Sequence, residues 1–113
     1  MIRLAAGLGF LGVALGAFGA HGLRERLSPA MLEVYRTGVL YHLIHAVALL
    51  AVALGADRLA RPRAVAALFT AGIALFSGSL YALSITGARA LGMITPLGGL
   101  LFMAGWATML FNR

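Results

Sequence analysis

Four long apolar runs fill most of this sequence, and short connections that carry nearly all of its charge separate them. The runs cover residues 4–20, 39–55, 64–85 and 96–111. Each run approaches or exceeds the roughly 20 apolar residues that an α-helix needs to cross the hydrocarbon core of a bilayer. The pattern predicts an all-α fold: a transmembrane four-helix bundle with up-and-down topology, in one domain that covers residues 1–113.

The composition indicates that lipid is the medium of the protein. Hydrophobic residues make up 62% of the 113 residues and charged residues 11%, whereas soluble domains average about 25% charged residues. A soluble chain of this length could not bury so much apolar surface in one core. The net charge of +6 comes from arginines that flank the apolar runs, as charges do in membrane proteins. This distribution, without a basic face that interleaves aromatics, argues against a nucleic-acid partner.

The first apolar run has two interpretations. It follows Arg3 and ends at small residues near position 20, as a signal peptide would. Four glycines recur in the run at three- and four-residue spacing: Gly9, Gly12, Gly16 and Gly19. This spacing favours a transmembrane helix, because small residues let helices approach closely. The Gly12 and Gly16 pair suits packing within the chain as readily as dimerisation, and we expect a homo-oligomer.

Cap signals mark several helix ends. Ser28-Pro29 and Thr95-Pro96 each read as an N-cap followed by proline at the first helical position, and Gly87 reads as a C-cap. Residues 31–36 are amphipathic and predict a short interfacial helix that runs into the second span. A straight helix from Pro29 to residue 55 would measure about 40 Å, which exceeds the hydrocarbon core. We therefore expect a kink near residues 37 and 38, or a protruding helix.

Charge counts give a weak orientation signal. An even number of spans puts both termini on the face that holds the 57–63 loop. That face carries five arginines: Arg3, Arg58, Arg61, Arg63 and Arg113. The other face carries four: Arg24, Arg26, Arg36 and Arg89. Under the positive-inside rule this difference favours cytoplasmic termini, and Trp106 and Arg113 read as interface anchors at the same face.

Polar residues gather at the face away from the termini. They are His21, Tyr41, His42, His45, Ser77, Ser79, Tyr81, Ser84, Thr86 and Thr95. Polar groups at membrane depth are costly unless they face partners or water. We therefore predict a polar pocket that binds or passes a small polar ligand or ion, or docks a partner. Its predicted residues, each a hydrogen-bonding group, are His21, Tyr41, His45, Ser77, Ser79, Tyr81 and Thr95.

The three histidines allow an alternative function. His42 and His45 share a helical face, and His21 ends the preceding antiparallel helix. Together they would suit zinc, copper or iron, and histidines on different helices can also hold haem. A His-x-x-His pair is a weak signal, because polar side chains more often serve as hydrogen-bonding glue between helices. We therefore favour a protein without a cofactor and keep the metal site as the alternative.

No catalytic constellation is visible in the sequence. The three acidic residues, Glu25, Glu33 and Asp57, fall in or near connections between the spans. No nucleotide-binding or metalloprotease motif occurs, and a nucleophile with a base and an orienting group is not apparent. We expect a non-enzymatic protein, and the histidines leave a proton relay open as an alternative. A structural or accessory subunit of a membrane complex is the second functional hypothesis.

Several motifs together resemble a known family. They are Gly16-Ala17-Phe18-Gly19-Ala20-His21, Tyr41 with His45, Phe76-Ser77-Gly78-Ser79-Leu80-Tyr81, Thr95-Pro96-Leu97-Gly98-Gly99 and Gly105-Trp106. In this order and spacing, they make the chain similar to domain-of-unknown-function family 423, which includes small bacterial inner-membrane proteins and the eukaryotic transmembrane-protein-256 type. The resemblance implies a four-span inner-membrane protein and no established activity. Glutamine often occupies the position of His42 in that family, so the resemblance favours His21 and His45 for any shared role.

Overall fold

The computed structural model describes residues 1–112. Arg113, with its predicted anchoring role, lies outside the described residues. Helix α1 runs over Ile2–Phe18 and continues as a π-helical turn over Gly19–Leu23. Helix α2 spans Pro29–Leu54. Both are long and apolar enough to cross a membrane.

Two further long helices complete the chain. Helix α3 spans Pro62–Thr86 and contains a π-helical turn at Ile73–Ser77. A 3₁₀ turn at Arg89–Met93 leads into helix α4, Thr95–Leu110. Helix α3, and α4 together with its preceding turn (Arg89–Leu110), are also long and apolar enough to span a membrane. Residues 1–112 contain no β-strand. The four-helix transmembrane fold predicted from the sequence is confirmed.

The second helix is continuous through the position where the sequence suggested a kink. Its 26 residues correspond to about 39 Å, which is longer than a hydrocarbon core of about 30 Å. The predicted interfacial segment, residues 31–36, forms the first turns of this same helix. Helix α2 is therefore unbroken and longer than the hydrocarbon core.

Helix ends follow the sequence signals in part. The hydroxyl of Ser28 accepts a hydrogen bond from the backbone N–H of Met31 at 3.2 Å, so the predicted N-cap of α2 is confirmed. Gly87 ends α3 with φ of 73°, in the left-handed region that favours glycine. The predicted cap at Thr95 is wrong. Thr95 is the first residue of α4 and its side chain does not cap the helix, because its hydroxyl is engaged with Ser79.

Helix α2 lies at the centre of the packing. Helix α1 packs mainly against α2, whereas α3 contacts both α2 and α4. A buried apolar cluster joins α2, α3 and α4, with α1 contributing through Leu8 at its edge. Its fully buried members are Val52, Val65, Phe69, Ile73 and Phe102. This core lies beside the side chain of His45, whose ring contacts Phe69 and Phe102.

Glycines set the close approaches between the helices. A Cβ at Gly12 would lie 2.6 Å from a side-chain carbon of Leu43, and one at Gly16 would lie 3.2 Å from Val39. The Gly12 and Gly16 pair therefore packs α1 against α2 within the chain. Between α3 and α4 the approach is closer still, because a Cβ at Gly98 would lie 2.3 Å from the backbone nitrogen of Phe76.

Candidate functional site

His45 is held between two helices by both of its ring nitrogens. Nε2 accepts a hydrogen bond from the indole Nε1–H of Trp106 at 3.0 Å. Because an indole nitrogen only donates, Nε2 carries no proton, and Nδ1–H donates to the backbone carbonyl of Tyr41 at 2.8 Å. The ring is 4% exposed and stacks on Phe102, with ring centroids 3.6 Å apart. His45 is therefore a neutral, fully hydrogen-bonded histidine.

His42 joins three helices in the same way. Its Nε2–H donates to the backbone carbonyl of Leu8 in α1 at 2.8 Å, since a carbonyl oxygen can only accept. Its Nδ1 then accepts from the hydroxyl of Tyr81 in α3, also at 2.8 Å. The side chain is 1% exposed. With opposite tautomers, His42 and His45 both use their full hydrogen-bonding capacity inside the bundle.

Tyr35 extends the His42 contact, although no motif in the sequence pointed to it as a site residue. Its hydroxyl donates to the backbone carbonyl of Leu15 in α1, and its ring centroid lies 5.2 Å from that of Tyr81. A Cβ at Gly19 would lie 2.4 Å from this ring. Gly19, which leaves room for this ring, was the sequence signal that could have pointed to Tyr35. Tyr35 was missed because it falls within residues 31–36, which the sequence pattern placed at the membrane interface.

The predicted hydroxyl groups of α3 also bond between or within helices. Ser77 donates to the backbone carbonyl of Gly38 in α2 at 2.7 Å. Ser79 lies 2.6 Å from the hydroxyl of Thr95 in α4 and 2.9 Å from the carbonyl of Phe76. Within residues 1–112, every buried side-chain nitrogen and oxygen has a hydrogen-bond partner. The polar residues therefore connect α3 to both of its neighbours.

The structure separates the predicted site residues into distinct groups. His42 and Tyr81 form one contact, Ser79 and Thr95 another, and His45 pairs with Trp106. Trp106 donates to His45 and is 47% exposed at the outer surface of the bundle, and its role as an interface anchor stays a prediction. The cavities described within residues 1–112 are lined by residues other than the seven predicted pocket residues.

The other two predicted residues lie at the outer surface of the bundle. His21 is exposed on the π-helical turn that follows α1. Tyr41 is 39% exposed, and its ring packs on Phe76 at 4.7 Å between centroids. In the part of the chain that the structure describes, no three His, Cys, Asp or Glu side chains are grouped as a metal site needs. His21, His42 and His45 are thus not brought together as a set of ligands.

Known proteins resemble this chain over most of its length. A family model described as "Protein of unknown function (DUF423)" matches residues 15–99. The UPF0382 membrane protein YwdK of Bacillus subtilis is 52% identical over 99 residues, which cover 85% of this chain and 80% of the relative. A UPF0382 membrane protein of Haemophilus influenzae is 44% identical over 98% of this chain and 90% of its own.

A third relative carries a more specific location in its name. The UPF0382 inner membrane protein YgdD of Escherichia coli K12 is 41% identical over 97% of this chain and 86% of its own length. No solved structure matches the chain. The three names describe membrane proteins, in agreement with the four long apolar helices.

Proposed function

We propose that this chain, which belongs to the DUF423 family of membrane proteins, is a non-enzymatic accessory protein. In this role it docks a transmembrane helix of another chain. The docking surface is the outer side of α1, which we define by Gly7, Leu11, Ala14 and Phe18. These residues lie three and four positions apart, so they share one face of the helix, and all are exposed in the single chain.

One observation carries this proposal: Gly7 has no packing partner that accounts for it. A Cβ built at Gly7 meets nothing within 4 Å, whereas one at Gly12 or Gly19 would collide with α2. A glycine inside a helix costs about 1 kcal/mol relative to alanine. Packing against α2 accounts for Gly12 and Gly19, and a partner helix at the outer face would account for Gly7, since small residues are enriched where membrane helices meet.

The hydrogen bonds of the polar residues support the docking of a partner helix better than they support the binding of a ligand. A pocket needs side chains with free donors or acceptors that converge on a cavity, but His42, His45, Ser77 and Ser79 spend theirs on contacts between or within helices. Such contacts give a bundle with defined outer faces. Binding of a polar ligand, a metal or haem by the predicted residues stays a prediction from the sequence, with less geometric support than docking.

Replacement of Gly7 by leucine tests the proposal. The added side chain would fill the outer face of α1 and displace the partner helix, while α1 keeps its contacts with α2. Ala67→Leu is the matched control, because it adds similar bulk at an exposed position of α3. The readout is the mass and composition of the complex extracted in mild detergent. We expect a defined complex from the wild type and from Ala67→Leu, and a single chain from Gly7→Leu.

The same measurement identifies the kind of partner. A complex of two or more identical chains would agree with the homo-oligomer expected from the sequence, and a second protein at fixed stoichiometry would make this chain an accessory subunit. A monomer in all three samples, or a complex that Gly7→Leu leaves intact, would contradict the proposal.

We also propose that both termini lie in the cytoplasm of a bacterial cell and that the protein resides in its inner membrane. The arginine counts favour this orientation. Reporter fusions at residue 1 and within residues 87–90 test it, since the two sites lie on opposite faces of a four-span bundle. A cytoplasmic signal from the fusion within residues 87–90 and an external signal from the fusion at residue 1 would show the opposite orientation.

A further inference from the structure

A cavity of about 600 Å³ lies where the loop before α3 meets the end of α4. It is lined by Ala60, Arg61, Ala107, Thr108, Phe111 and Asn112. This is the connection that holds three arginines in six residues, and none of the pocket residues predicted from the sequence belongs to it. Its volume falls within the range of about 300–1,000 Å³ typical of sites for small ligands.

The side chain of Asn112 links the two walls of this cavity. The carboxamide oxygen of Asn112 accepts a hydrogen bond from the backbone N–H of Ala60 at 2.7 Å. The Asn112 amide nitrogen donates to the backbone carbonyl of Arg58 at 3.1 Å. These two bonds fasten the end of the chain to a loop that lies more than fifty residues earlier. The cavity is therefore formed before any ligand arrives, which lowers the entropy cost of binding.

One side of the cavity is cationic. Arg61 lines it, and Arg58 and Arg63 are exposed in the same loop, where Asp57 is the acidic residue. Helix α3 begins at Pro62 without a side-chain cap, so the partial positive charge of the helix end adds to that of the arginines. A guanidinium group can bind a phosphate through two parallel hydrogen bonds.

The other side of the cavity is apolar. Ala107 and Phe111 belong to it, and Phe111 is 75% exposed. The neighbouring Leu110 is 77% exposed on the same end of α4. Because α4 spans the membrane, this surface continues from the cavity toward the hydrocarbon core. A ligand that fits both sides has an anionic head and an apolar tail.

We propose that this cavity binds an anionic phospholipid. The phosphate lies against Arg61, with Asn112 and Thr108 at the level of the glycerol backbone, and an acyl chain follows Ala107 and Phe111. A basic cluster next to a transmembrane helix attracts anionic lipid, and the preformed cavity adds a place where one lipid molecule stays. This site is independent of the docking surface on α1.

The test uses the full-length protein in detergent micelles and native mass spectrometry to count bound lipids. Phosphatidylglycerol is compared with phosphatidylcholine, and glycerol phosphate serves as a head group without chains. Arg61→Gln removes the charge inside the cavity. Arg89→Gln is the matched control, because Arg89 is an exposed arginine in the connection before α4. Each variant is first checked for an unchanged thermal unfolding transition.

We expect one phosphatidylglycerol to bind more tightly than phosphatidylcholine. Arg61→Gln should weaken this binding about fivefold, the effect of one arginine near an anionic lipid, and Arg89→Gln should leave it unchanged. Phe111→Ala, which keeps the charge, should weaken both lipids. Equal binding of both lipids to the wild type would overturn the proposal, as would equal losses in the two arginine variants. Glycerol phosphate that binds as tightly as the lipid would make this a site for free phosphate esters instead.

Discussion

The indole nitrogen of Trp106 donates a hydrogen bond to Nε2 of His45 across 3.0 Å. The contact joins α2 to α4 and holds the histidine in one neutral tautomer. Phe102 and Phe69 cover the ring on other sides, with centroids 3.6 Å and 5.2 Å away. Water has little access to the His45 ring, which is 4% exposed, whereas Trp106 lies at the outer surface of the bundle and is 47% exposed. A bond in such surroundings contributes to the stability of the bundle and to the orientation of α4.

Replacement of Trp106 by phenylalanine should therefore destabilise the protein. The variant leaves Nε2 of His45 without its partner, and an unsatisfied buried group costs about 1–3 kcal/mol. The double variant with His45→Phe removes both polar groups and should recover part of the loss, with a coupling of about 0.6 kcal/mol, typical of hydrogen bonds between membrane helices. The free energy of unfolding in mixed micelles measures both effects. Additive losses would mean that the two side chains do not interact.

The tyrosines Tyr81 and Tyr41 should respond differently to loss of the hydroxyl. Tyr81→Phe removes the donor to Nδ1 of His42 and should lower the free energy of unfolding by about 1 kcal/mol or more. Tyr41→Phe should leave the free energy of unfolding nearly unchanged, since Tyr41 packs through its ring against Phe76 and Phe102. Thermal unfolding of the two variants side by side is the measurement. Equal destabilisation would show that the His42 contact contributes little.

The adjacent glycines Gly98 and Gly99 should respond differently to replacement by alanine. A Cβ at Gly98 would lie 2.3 Å from the backbone nitrogen of Phe76, whereas at Gly99 the nearest atom, in the Phe76 ring, is 3.8 Å away. Gly98→Ala must push α3 and α4 apart and should cost about 1–3 kcal/mol or more. Gly99→Ala should be tolerated or slightly stabilising, because alanine is the better helix former. The expression level and unfolding temperature of the two variants distinguish these outcomes, and an equally stable pair would contradict the described crossing of α3 and α4.

The carboxamide of Asn112 should control the mobility of the loop before α3. Asn112→Ala removes the bonds to Ala60 and Arg58, so amide hydrogen exchange should accelerate at residues 57–61. Asn112→Asp retains an acceptor for the N–H of Ala60 but loses the donor to Arg58, and its effect should be intermediate. The loop of Arg89–Met93, at the other connection, serves as the internal reference. Unchanged exchange in the alanine variant would show that other contacts hold the loop.

Hydropathy and cap residues were sufficient to predict the number and type of the helices. About 20 consecutive apolar residues can satisfy their backbone hydrogen bonds in lipid only as a helix or a closed barrel, and the Ser28 cap and Gly87 mark helix ends by local chemistry alone. The small residues at Gly12 and Gly16 indicated close packing. These features depend on neighbours in the chain, so the sequence by itself determined them.

The partners of the polar side chains were decided only by the tertiary structure. Helical periodicity shows that His42 and His45 share a face, but it does not show that one bonds to Tyr81 and the other to Trp106. Lipid and helix interior are both apolar, so a transmembrane helix carries little sequence difference between its inner and outer faces. The rotation of each helix, and with it the choice of hydrogen-bond partners, follows from packing at positions such as Gly98, where backbones make contact.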